Sequence, residues 1–186
     1  MDPRTALLVI DAQDSFKVSP RWALRDNPAF EDNVAALLRA FRAARLPLAF
    51  VLHADDDPGF EETSPHFRVM TGLEPRAGEP TFVKRTRNCF TSTALLPWLL
   101  ARGVRRVAIA GIQTDQCCET SARVARDLGF EVDFITEATL TFPIAHPDRP
   151  GEGLSAAAIR ERTEYVLRGR FARIATVATV VAEAGL

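Results

Sequence analysis

The sequence predicts an α/β fold: a three-layer α/β/α, doubly wound domain around a mainly parallel six-stranded sheet. Short apolar or β-branched runs alternate with longer stretches of helical period, the pattern of a parallel sheet covered by helices on both faces. Six such runs can be picked out, which makes a sheet of ordinary size. The 186 residues, 47% of them hydrophobic, suit a single domain over 1–186 that buries roughly 70% of the surface its unfolded chain exposes.

The first strand is expected at Ala6–Asp11, an apolar run closed by a carboxylate. A helix follows over Glu31–Arg45, where Val34, Leu37, Leu38 and Phe41 recur at spacings of three and four, one face of a 3.6-residue period. Pro47 stops it. The second strand is Leu48–His53 and the third Phe82–Lys84. A helix over Thr93–Arg102, bent or offset by Pro97, ends at Gly103. The fourth strand is Arg106–Gly111, and the helix after it covers Gln116–Leu128, with Glu119 and Arg123 spaced for a surface pair. Glu131–Ile135 is the fifth strand, Ser155–Leu167 a helix opened by a serine cap, and Ala172–Thr176 the sixth strand. Three segments, Lys17–Pro28, Ala54–Pro80 and Thr139–Gly153, read as loops, the last two long enough to act as lids or contacts between subunits.

With 25% charged residues and a formal net charge of -1, the composition is that of an ordinary globular protein and gives no footprint for nucleic acid or membrane. The run Ala6–Ile10 is too short for a signal-peptide core. Three cysteines, two of them adjacent, make a poor disulfide framework and suit a reducing compartment, so a cytoplasmic location is expected.

In open α/β sheets, ligands bind at the carboxyl ends of the strands. Three reactive side chains are expected there: Asp11 after the first strand, Lys84 after the third, and Cys117 one turn beyond the fourth. A carboxylate, an ammonium and a thiol together supply a base, a cation to stabilise anions and a nucleophile, the needs of covalent acyl transfer. A cysteine in the first turn of a helix also feels the positive end of the helix dipole, which is expected to lower its pKa toward the thiolate.

The segments that carry these residues resemble the isochorismatase-like cysteine hydrolases, the superfamily that includes nicotinamidase, N-carbamoylsarcosine amidase, ureidoacrylate hydrolase and biuret hydrolase. The matching stretches are Ala6-Leu-Leu-Val-Ile-Asp-Ala-Gln-Asp-Ser-Phe16, Val83-Lys-Arg-Thr-Arg-Asn-Cys-Phe-Thr-Ser-Thr93 and Ala110-Gly-Ile-Gln-Thr-Asp-Gln-Cys117. The resemblance implies an Asp11, Lys84, Cys117 triad and a cis peptide at Ile112–Gln113. It further implies an oxyanion hole from the N–H groups of Gln113 and Cys117, and a homodimer or homotetramer. Cys118 is read as core packing, and Cys89 is given no catalytic role.

The chain departs from some of these relatives. The metal-binding Asp-x-His spacing of nicotinamidases is missing from Leu52-His-Ala-Asp-Asp-Asp-Pro58, so neither metal nor cofactor is expected, although the acidic loop Asp55–Asp57 is a possible ion site. Isochorismatase itself cleaves a vinyl ether and does not keep the cysteine, so Cys117 argues against that reaction. Phe16, Trp22 and Phe90 are candidates for the wall of a pocket for a planar substrate, and His53 for a substrate contact. The expected activity is hydrolysis of a small amide, carbamoyl or ureido compound through a thioester. The alternatives are an ether or ester hydrolase led by Asp11, and a catalytically idle oligomeric binder.

Overall fold

The computed structural model describes residues 1–185; Leu186, the last residue of the expected domain, lies outside the described residues. In chain order the elements are β1 (Thr5–Ile10), α1 (Ser15–Val18), a 3-10 turn (Pro20–Leu24), α2 (Phe30–Ala43), β2 (Leu48–His53), β3 (Thr81–Lys84) and α3 (Leu95–Ala101). They continue with β4 (Arg106–Ile112), a π-helical turn (Thr114–Cys118), α4 (Glu119–Asp127), β5 (Glu131–Leu140), β6 (Ile144–Ala145) and β7 (Gly153–Leu154). The chain closes with α5 (Ala156–Leu167), β8 (Arg173–Ile174) and α6 (Val177–Glu183).

Six strands form one sheet in the order β3-β2-β1-β4-β5-β8, and every pairing in it is parallel. A parallel connection requires a crossover, and the helices that make the crossovers cover both faces. One face of β1 gives Leu7 and Val9 to a core with Val34, Leu37, Leu38 and Phe41 of α2 and Val180 of α6. The other gives Ala6, Leu8 and Ile10 to a core with Leu95 and Leu99 of α3 and Ala122 and Ala125 of α4. Because both faces are buried, β1 reads as an uninterrupted apolar run rather than an alternating one. Each large side chain on the buried stripe of α2 contributes about 1.5–3 kcal/mol over leaving it in water.

Strand order reverses between β1 and β4, which makes that crevice the switch point of the sheet. There the two backbones approach closely: a Cβ on Gly111 would lie 1.9 Å from the carbonyl oxygen of Ile10, and the residue has φ +140°.

Several boundaries differ from expectation for identifiable reasons. Pro97 falls in the first turn of α3, where its missing N–H costs nothing, so the helix is shortened rather than bent. β5 runs to Leu140 because a bulge lets Gly111 pair with Thr139 after Ile109 has paired with Phe134. The last strand shrinks to Arg173–Ile174, and α6 occupies the segment beyond it. Glu119 is buried rather than at the surface. No helix among the described residues is long and apolar enough to cross a membrane.

Candidate active site

Asp11 follows the last residue of β1 and takes a left-handed backbone conformation, φ 50°, which short polar residues tolerate better than branched ones. Its N–H donates to the Val51 carbonyl at 2.7 Å, so the turn is tied to β2 and the buried carboxylate is aimed across the strand ends. Lys84, the last residue of β3, pairs in register with His53, the last of β2. From there its fully buried side chain reaches over β2 to place Nζ 2.8 Å from Asp11 Oδ2. The contact is an ion pair by distance, with an angle outside that of a directed hydrogen bond, and Asp11 Oδ1 has no hydrogen-bond partner among the described residues. The same Nζ lies 3.3 Å from Cys117 Sγ and 3.1 Å from His53 Nδ1. One ammonium thus touches the carboxylate, the thiol and the imidazole.

Cys117 lies in the π-helical turn that leaves β4. Glu119, just beyond it, is a buried carboxylate that accepts from Arg123 of α4 and from Arg162 and Thr163 of α5. The helix behind the thiol is thereby clamped to its neighbour. The peptide between Ile112 and Gln113 is cis, and the Gln113 N–H donates to no acceptor among the described residues. Gln13 fixes the third element of the site: its amide donates to the His53 carbonyl at 3.2 Å and its oxygen accepts from the His53 N–H at 2.8 Å.

The electrostatics reverse one expectation. Burial, reinforced by the neighbouring Asp11 charge, pushes the Cys117 thiol far above its usual range, and the Lys84 charge only partly offsets this. Dipole stabilisation at a first turn is worth about 1 kcal/mol, too little against the desolvation of a thiolate on a residue that is only 6% exposed. At rest Cys117 is therefore held as a thiol, not a thiolate. For Lys84 burial favours the neutral form, but the effects opposing it, led by the Asp11 charge, prevail and its pKa stands above the ordinary lysine value. His53 is shifted down, by burial first and by the Lys84 charge second, so its ring is neutral near pH 7.

A cavity of about 490 Å³ opens onto Asp11, Gln113 and Cys117. Its apolar wall is Phe16, Phe60 and Phe142, with Phe16 edge-on to Phe60 at 5.0 Å and stacked with Phe142 at 6.2 Å. Arg21, Arg87, Asp55 and Asp57 supply its polar rim. Of the four substrate contacts expected from sequence, Phe16 and His53 line this cavity. Trp22 and Phe90 do not: Trp22 packs behind Phe142 at 6.5 Å, and Phe90 stacks on Phe130 in the core against α3 and α4. Cys118 and Cys89 are fully buried in that same core, where burial raises the Cys89 thiol to about 12. Arg87, to which the sequence assigns no role, and Asp55, part of the acidic loop considered for an ion, flank His53 Nε2 at 2.8 and 3.2 Å. No group of three or more His, Cys, Asp or Glu converges to hold a metal ion among the described residues.

This disposition of side chains over a 3-2-1-4-5 parallel sheet meets its counterpart in known proteins. A model of the isochorismatase domain matches residues 5–178. The chain belongs to the isochorismatase family. It is 27% identical over 178 residues to the isochorismatase family protein YrdC of Bacillus subtilis, covering 95% of this chain and 94% of that one. It is 30% identical over 152 residues to nicotinamidase 3 of Arabidopsis thaliana, covering 74% and 73% of the two chains. Among solved structures, a protein of the isochorismatase family from Chromobacterium violaceum superposes with a TM-score of 0.91 at 30% identity, covering 99% of this chain and 95% of the other. Membership places the protein among hydrolases.

Proposed function

We propose that this isochorismatase-family chain hydrolyses a small amide, carbamoyl or ureido compound, with Cys117 as nucleophile. The observation that carries the reading is the single buried ammonium of Lys84 in contact with both Asp11 and Cys117, under a cavity that opens on the sulfur. The nicotinamidase relative, whose name gives an amide as its substrate, supports the choice of bond.

In the first step the thiol proton passes to Asp11 as Sγ attacks the carbonyl carbon. Negative charge moves from the carboxylate to the sulfur and on to the carbonyl oxygen, and the first two stations lie within reach of the same Nζ, so the cation need not move. The free N–H of Gln113, with that of Cys117, receives the oxyanion in preformed positions. Collapse expels ammonia or an amine carrying the proton from Asp11 and leaves a thioester on Cys117. Water, activated by the carboxylate, then releases the acid and restores the thiol.

The test is ammonia release from a panel of small amides and ureido acids, with Cys117→Ala beside the wild type and intact mass measured during turnover. Release by the wild type alone, with an acyl adduct on Cys117, is the expected result. Equal release by both proteins, or hydrolysis of esters and vinyl ethers by the alanine variant, would overturn it.

A further inference from the structure

Beside His53 one cation is left with mismatched partners. An ammonium only donates, so His53 Nδ1, 3.1 Å from Lys84 Nζ, is the acceptor, and the proton of the neutral ring is on Nε2. That Nε2–H donates to Asp55 Oδ2 at 3.2 Å. Arg87 Nη1 stands 2.8 Å from the same Nε2, and because a guanidinium also only donates, this contact sets donor against donor. The ion-pair partner of Arg87 among the described residues is Asp55, at 3.8 Å from Nη2, beyond hydrogen-bond distance and already engaged by the histidine. The fork of Arg87 therefore borders the cavity with its donors unmatched.

We propose that Arg87 selects substrates bearing an acid group, binding a carboxylate a short chain away from the scissile carbonyl. This deepens the reading of the chain as a thiol-dependent amidase and rests on it. Distance favours it: Cys117 Sγ, Lys84 Nζ, the His53 ring and Arg87 Nη1 form one continuous file with contacts of 3.3, 3.1 and 2.8 Å. A substrate whose carbonyl meets the sulfur and whose chain runs along the imidazole brings its far end to the guanidinium. Donor geometry favours it as well, because a planar fork matches a carboxylate with two parallel hydrogen bonds, and the acid relieves the donor clash with Nε2. Arg21, the other guanidinium on the cavity, is stacked over the Phe142 ring at 5.2 Å and is thus committed to the apolar wall. Asp55 acts as a weak internal competitor for the site.

Binding to the Cys117→Ala protein tests this apart from turnover. Malonamate and succinamate are titrated calorimetrically beside the neutral diamides malonamide and succinamide. The acids are expected to bind about tenfold tighter or more, the margin of a charge-assisted contact. Arg87→Gln in that background should bring the ratio near one, without unfolding because the side chain is 58% exposed. Asp55→Asn, which keeps an acceptor for Nε2–H but removes the competing charge, should widen it. Equal binding of acid and diamide, no binding of either, or a preference that survives Arg87→Gln and falls instead in Arg21→Gln would each overturn the assignment. Since no sulfur chemistry is involved, failure here leaves the ammonia-release experiment to judge the amidase reading separately.

Discussion

At the scale of the residue, the site turns on how one buried ammonium divides its charge between a carboxylate and a thiol. The Asp11 charge helps to keep the thiol protonated, and in the proposed mechanism the same carboxylate accepts the proton; those two roles predict opposite changes when its charge is removed. Asp11→Asn, which keeps volume and shape, should bring the Cys117 pKa down, because the Lys84 charge then acts on the sulfur unopposed. Alkylation of Cys117 by iodoacetamide at neutral pH should accelerate while amide turnover falls by about 10²–10⁴-fold, the usual worth of a positioned general base. Thiol labelling and turnover that fall together would show that Asp11 serves to ionise the resting cysteine. That Asp11, Lys84 and Cys117 meet was legible in the sequence because Asp11 and Lys84 close apolar runs and Cys117 lies one turn beyond a third. The protonation state was not, since it depends on side chains brought together from β1, β3 and the turn after β4. Trp22 and Phe90 misled for a related reason: an aromatic residue near a motif looks the same whether it faces a cavity or the layer behind it, and only packing decides.

At the scale of the element, strand register determines which side chain can do what. Lys84 pairs with His53, not with a residue of β1, so two strand spacings of about 4.8 Å each separate its backbone from β1. A long, unbranched cation is needed to cross that gap, and the crossing places it over the imidazole. The closeness of β1 and β4 is held by Gly111. Gly111→Ala would drive a methyl group into the Ile10 carbonyl, 1.9 Å away, and should destabilise the fold by more than about 4 kcal/mol, in the range kept for backbone clashes in a core. A urea unfolding curve with the wild-type midpoint would refute that account of the switch point. Strand positions β1 to β4 follow from apolar runs bounded by polar residues. The extension of β5 to Leu140 has no such signal, because a bulge shifts the pairing without changing composition. The brevity of β8 and the helix after it were hidden for another reason: Val177–Glu183 is apolar enough for either state, and its contact with α2 and β5 goes with the helix that follows the two-residue strand.

Across the whole molecule, burying three thiols ties stability to pH. Burial raises Cys89 to about 12 and lifts Cys117 and Cys118 further, while an unfolded cysteine titrates near 8.5. A folded pKa above the unfolded one gives stability that is complete below about pH 8.5 and is lost as pH rises, because the unfolded chain releases protons that the folded chain keeps. Between about pH 9 and pH 10 each thiol should cost roughly 1.4 kcal/mol. Urea midpoints measured over that interval should fall, with a shallower slope in Cys118→Ala; a flat profile would show that the thiols ionise in place. The predicted architecture, both helical layers and the first four strands to within a residue were readable from periodicity and punctuation, whereas the three loops that furnish Phe60, Phe142 and Arg21 to the cavity carry no period.

The protonated state of Cys117 also bears on how the protein withstands oxidants. Peroxide attacks thiolates, beginning the descent through sulfenic acid to forms that cannot be recovered. A cysteine that is 6% exposed and holds its proton at rest is a poor target while idle. In the proposed mechanism its vulnerable interval comes during turnover, with the proton on Asp11. Oxidative inactivation should accordingly count catalytic cycles rather than hours of exposure, so that an idle pool of the protein outlasts a working one.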